Sequence, residues 1–98
     1  MPIPDYQTLM LPLLKSLKDG QEHPMREIIE KLAQEFHLTD EERKALLPSG
    51  QQFIFDNRVG WARTYLKKAG LIDTPLKGYV KITDRGNQVL KDSPSKIT

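Results

Sequence analysis

Residues 59–86 constrain the fold more than any other stretch of the chain. Val59, Ala62, Leu66 and Ala69 recur at helical spacing, so they predict one apolar helix face. Asn57 is a good N-cap for that helix over residues 58–69, and Gly70 sits where a left-handed C′ residue ends it. Residues 71–74 read as a short strand. A turn-forming segment follows at 74–78, with Pro75 and Gly78. Tyr79, Val80, Lys81 and Ile82 alternate polar and apolar, which predicts a returning strand. Thr83 then caps a last helix over 84–91. Few small folds place a helix, a tight hairpin and a capped helix in 30 residues.

Upstream, the apolar spacing predicts three more helices. Asp5 caps the first, over residues 5–18, in which Tyr6, Leu9, Met10, Leu13, Leu14 and Leu17 share a face. Pro12 lies inside that pattern, where it removes a backbone hydrogen bond at about 3 kcal/mol and is expected to kink the helix. The second helix starts near Pro24, burying Met25, Ile28, Ile29, Leu32, Ala33 and Phe36. Its Arg26, Glu27, Glu30, Lys31 and Glu35 read as a solvated face. Thr39 and Glu42 have capping-box spacing and open a third helix that runs to Leu47, with Pro48-Ser49-Gly50 as the break. Residues 51–56 are a connector in which Phe53 and Phe55 anchor into the core.

Three packed helices followed by a two-stranded hairpin give the fold class: α+β, mostly helical, a winged helix-turn-helix with a C-terminal β-hairpin wing and a last helix. Ninety-eight residues hold one domain, assigned to 1–91, with 92–98 as a polar tail opening a linker. The chain has no cysteine, which excludes disulfides, thiolate nucleophiles and the common zinc modules. The N-terminal residues lack the pattern of a signal peptide, and no apolar run is long enough to span a bilayer. The expectation is a soluble cytoplasmic protein with no membrane partner.

The helix after Asn57 carries the functional expectation. Its outward side holds Gly60, Thr64, Lys67 and Lys68, flanked by Arg63 and Trp61, with no acid among them. Docked in a major groove, Arg63 and Thr64 reach base edges while Lys67 and Lys68 meet phosphate. Asn57 and Arg58, at the helix start, can hold a further phosphate with backbone N–H groups. Lys77 at the hairpin tip and Lys81, pointing away from Val80 and Ile82, extend the surface. The competing reading is a basic face that is merely solvated, with Trp61 packed on a neighbouring element. Leu76, apolar at the tip, points instead to a protein contact.

Catalytic readings fail on inventory. His23 and His37 are the only histidines, and neither has a spaced metal-binding partner, so both read as loop or capping residues. Glu27, Glu30, Asp40, Glu41 and Glu42 fall on exposed faces, not in a desolvated acid–base pair. There is no phosphate-binding glycine loop. The chain is expected to need no metal or cofactor and to have no catalytic residue.

Leu46-Leu47-Pro48-Ser49-Gly50, and the run from Phe55-Asp56-Asn57-Arg58 through Val59-Gly60-Trp61-Ala62-Arg63-Thr64-Tyr65-Leu66-Lys67-Lys68-Ala69-Gly70-Leu71, resemble the N-terminal domain of Mrr-type restriction endonucleases. Pro4-Asp5-Tyr6-Gln7 and Ile82-Thr83 with Gly86 extend the likeness over nearly the whole chain. The resemblance implies a winged-helix domain of a prokaryotic defence system that binds double-stranded DNA, in some members modified DNA. It also implies a separate PD-(D/E)xK nuclease domain, so that this chain would be the recognition portion and not the enzyme. The alternative is a protein-interaction module that forms a homodimer or docks on that nuclease domain.

The net charge of +2 conceals a division. Residues 1–57 hold six Lys and Arg against ten Asp and Glu, a net −4. Residues 58–98 hold nine against three, a net +6. The basic half is the half that contains the expected reading helix and hairpin. Neutralising about six phosphates there predicts a slope of roughly −5 in log K against log salt.

Overall fold

The computed structural model describes residues 3–92. Among them are five helices and a three-stranded antiparallel sheet. Helix α1 spans Tyr6–Lys15, and the Asp5 carboxylate caps it by accepting from the Thr8 N–H at 2.7 Å. The helix passes through Pro12 and ends three residues sooner than its spacing predicts. Ser16 satisfies the Pro12 carbonyl twice, through its N–H at 3.0 Å and its hydroxyl at 2.9 Å. Leu9, Leu13, Leu14 and Leu17 are fully buried, and their packing offsets the proline.

A two-residue strand, β1 (His23–Pro24), precedes helix α2 (Met25–Glu35). The sequence reading contains no such strand and expects only a two-stranded hairpin. β1 pairs antiparallel with β3 (Tyr79–Ile82), His23 facing Val80 and Pro24 facing Tyr79. On its other side β3 pairs with β2 (Ile72–Asp73), Ile72 facing Ile82 and Asp73 facing Lys81, so the sheet order is β1-β3-β2. The hairpin strands lie where the alternation puts them, and Lys81 is exposed between buried Val80 and Ile82.

Helix α2 buries Ile28, Leu32 and Ala33, with Met25, Ile29 and Phe36 partly buried beside them. Its end is a Schellman motif: Leu38 N–H bonds the Ala33 carbonyl and His37 N–H the Gln34 carbonyl. His37 therefore occupies the left-handed position, with φ of 54°. Glu30 is not simply solvated. It accepts from Arg43 of helix α3 (Asp40–Lys44) at 2.6 Å. The Thr39–Glu42 capping box of α3 is formed in both directions. The helix stops at Lys44, short of Leu47, because the backbone turns extended at Ala45 and Leu46 bridges to Phe53.

Helix α4 spans Ile54–Lys68 and packs most extensively on α1. It begins before Asn57, which is not the N-cap; Asn57 N–H already bonds the Phe53 carbonyl at 3.0 Å. Starting at Ile54 places Phe55 on the same face as Val59, Ala62 and Leu66, all with no exposed surface. Burying Phe55 is worth up to about 3 kcal/mol, more than the ~1 kcal/mol of an asparagine cap. Phe53, expected in the core, is instead 38% exposed beneath the Arg43 guanidinium, and Ala69, expected on the buried face, is exposed. Gly70 ends the helix in a second Schellman motif, with φ of 77°.

Helix α5 (Asp84–Lys91) matches its predicted bounds. Thr83 Oγ1 accepts from the Gly86 N–H and donates to the Gly70 carbonyl at 2.6 Å, so one hydroxyl joins the end of α4 to the start of α5. The tail assigned to 92–98 lies outside the described residues beyond Asp92. No described helix is long and apolar enough to cross a membrane.

Candidate nucleic-acid interface

The buried face of α4 fixes what its other side presents. With Val59, Ala62 and Leu66 turned into the core, Gly60, Thr64, Lys67 and Lys68 face outward. The β2–β3 hairpin folds back beside them. Arg63, Thr64, Lys67 and Lys68 of α4, with Thr74, Leu76, Lys77 and Gly78 of the hairpin, line one open cleft of about 570 Å³. Among the described residues no carboxylate lines it. Lys67 Nζ donates to Thr74 Oγ1 at 2.8 Å and ties helix to hairpin across the cleft floor. Leu76 is 57% exposed and belongs to the same cleft, so it does not mark a separate surface.

A second, shallower hollow adjoins the first. Gln52, Asn57, Gly60, Trp61, Arg63 and Thr64 line it, so Arg63 and Thr64 are shared by both. Asn57 Nδ2 donates to Gln52 Oε1 at 3.2 Å. Thr64 Oγ1 donates to the Gly60 carbonyl at 3.0 Å. Trp61 does not pack on another element. It is 48% exposed, with its ring tilted towards Tyr65 of the same helix at 6.2 Å. Tyr65 stacks on Tyr6 at 4.9 Å, and Lys68 Nζ lies 5.8 Å from the Tyr65 ring.

Five of the expected site residues thus converge on the cleft: Arg63, Thr64, Lys67, Lys68 and Lys77. Asn57 lines the hollow. Lys81 is exposed on β3 opposite Asp73, outside the cleft. Arg58 is turned elsewhere: Nη1 donates to the Ile3 carbonyl at 2.6 Å and approaches that of Pro4 at 3.5 Å. It fastens the start of the chain to α4. Gln52 and Thr74 were missed, because each reaches the site only through the tertiary approach of its loop to α4.

The acidic half of the chain is organised separately. Arg43 bonds Asp56 and Glu30, both at 2.6 Å. Partial burial opposes its charge, but the two carboxylates more than offset this and the net effect is to raise its pKa. Asp19 accepts from the Gln21 N–H and faces His23 at 2.9 Å, and these contacts hold its carboxyl below the usual range. No cluster of the described His, Asp and Glu residues could hold a metal ion.

The family model for the Mrr N-terminal domain matches residues 6–92. The chain is 31% identical over its whole length to the type IV methyl-directed restriction enzyme EcoKMrr of Escherichia coli K12. It spans 32% of that relative's length. No solved structure matches the chain. The match from Tyr6 to Asp92 takes in every helix and strand described above, and the chain belongs to the Mrr N-terminal domain family.

Proposed function

We propose that the chain is the DNA-recognition domain of an Mrr-like restriction endonuclease, a winged helix whose α4 enters the major groove and whose β2–β3 hairpin rests on the backbone as the wing. The observation that carries this reading is the cleft between α4 and the hairpin. It brings Arg63, Lys67, Lys68 and Lys77 together with the hydroxyls of Thr64 and Thr74, and no carboxylate among the described residues lines it. Such a surface suits phosphate contacts at its edges and base contacts at its centre. The relative is described as methyl-directed, which makes modified duplexes the first ligands to try. Cleavage belongs to a nuclease domain of PD-(D/E)xK type, and this chain alone is expected to leave plasmid DNA intact in magnesium.

Titration of methylated and unmethylated duplexes at several salt concentrations tests the reading. With Arg58 engaged by the N-terminal carbonyls, the four cleft cations and Lys81 remain, and log K is expected to fall against log salt with a slope of about −4. Failure to bind duplex at low salt, or a flat salt response, overturns it. Binding to a second copy of the chain instead, seen by sedimentation, would favour the interaction-module alternative.

A further inference from the structure

Gly60 stands in the middle of α4 without a reason inside the chain. Its backbone is ordinary helix, and a Cβ built on it would meet nothing within 4 Å. Neither a turn nor packing calls for glycine there, and glycine is among the least favourable residues in a helix interior. The missing side chain makes sense only if something outside the chain approaches the helix closely at this point.

The surroundings indicate what approaches. Asn57, Gly60, Trp61 and Thr64 recur at helical spacing, so they form one stripe that continues into Lys67 and Lys68. Gly60 belongs to the hollow, and the Gln52–Asn57 couple forms one side of it. With Asn57 Nδ2 donating to Gln52 Oε1, the couple keeps the Asn57 carbonyl oxygen as an acceptor and the Gln52 amide as a donor. Turning both amides over leaves one donor and one acceptor as before. That complement matches the major-groove edge of adenine, which offers an N6–H donor beside the N7 acceptor.

The geometry points to the Gln52–Asn57 couple as a base-reading element that selects adenine in a duplex whose groove floor comes to rest on Gly60. This rests on the duplex-DNA reading above. Gln52 and Gly60 supply specificity here, while the lysines of the neighbouring cleft supply affinity.

The test uses the full 98-residue chain, a randomised duplex library and thermal unfolding. The wild type is expected to enrich adenine at one fixed position. Gly60→Ala is expected to raise Tm by about 4 °C, because alanine favours the helix, yet to weaken duplex binding at least tenfold. Gln52→Ala and Asn57→Ala are expected to lower the adenine preference at that position about tenfold with an unchanged salt slope. A Gly60→Ala chain that binds as well as the wild type, amide variants that keep the wild-type preference, or a wild type that binds without base preference each overturn this inference alone. A wild type that binds no duplex at low salt overturns the recognition reading, and this one with it.

Discussion

Gly86 lies so close to Leu71 that a Cβ placed on it would fall 2.2 Å from the Leu71 carbonyl oxygen and 2.6 Å from Ile82 Cγ1. The first turn of α5 is thereby pressed onto the start of the hairpin, where Leu71 O also accepts from the Thr83 N–H. Backbone crowds the position, so no rotamer change relieves it. Gly86→Ala is expected to destabilise the chain by about 3 kcal/mol, read by urea unfolding. An unchanged midpoint would show that the α4–hairpin–α5 junction is looser than described.

His37 is the converse case. It holds a left-handed backbone conformation that glycine adopts without strain, and its ring is exposed. His37→Gly is expected to stabilise the chain by about 1 kcal/mol, visible as a higher Tm. Gly70→Ala, at the matching position of α4, is expected to destabilise by a similar amount.

Arg43 joins three helices through partners of unequal exposure. The Asp56 side chain is 27% exposed and that of Glu30 58%. Double-mutant cycles are expected to give about 1 kcal/mol for Arg43–Asp56 and about 0.3 kcal/mol for Arg43–Glu30, the latter vanishing in high salt. Equal couplings would contradict the difference in screening.

The capping box makes stability depend on acid. The Glu42 carboxylate accepts from the Thr39 N–H at 2.9 Å, and that bond holds its pKa below the ordinary glutamate value. A lowered folded pKa means stability that is complete above the unfolded value and is lost as pH falls through the folded one. Unfolding midpoints measured downwards from neutral pH are expected to drop across that window. In Glu42→Gln, which has no charge to lose, that share of the drop is expected to disappear.

Arg58 and Lys77 separate structure from affinity. Arg58→Ala gives up the bond to the Ile3 carbonyl and is expected to lower Tm while leaving the salt slope of duplex binding almost unchanged. Lys77→Ala, at the exposed hairpin turn, is expected to leave Tm alone and reduce the slope by about one. The opposite pattern would move Arg58 into the interface and Lys77 out of it.

What could be read in the sequence is what local chemistry decides. The Thr39–Glu42 box, the Gly70 stop, the alternation in β3 and the Thr83 cap each rest on a few neighbouring residues, and each stands where expected. β1 could not be read. His23–Pro24 has no alternation and includes a proline, and it is a strand only because Val80 and Tyr79 lie alongside. The start of α4 was misplaced because a good local cap at Asn57 competes with burial of Phe55, and burial wins. The cleft was half legible: helical spacing groups Arg63, Thr64, Lys67 and Lys68, but only the folded hairpin brings Thr74 and Lys77 to them.

The hairpin is fastened at both its ends. The Met25 N–H bonds the Gly78 carbonyl at 2.8 Å, and Lys67 holds Thr74 from the other side. The hairpin, the start of α2 and the end of α4 are therefore one body. A molecule entering the cleft meets walls that were ordered when the chain folded, so little conformational entropy is lost on contact. Association is then governed by encounter, and changes of salt act first on how fast the partner arrives.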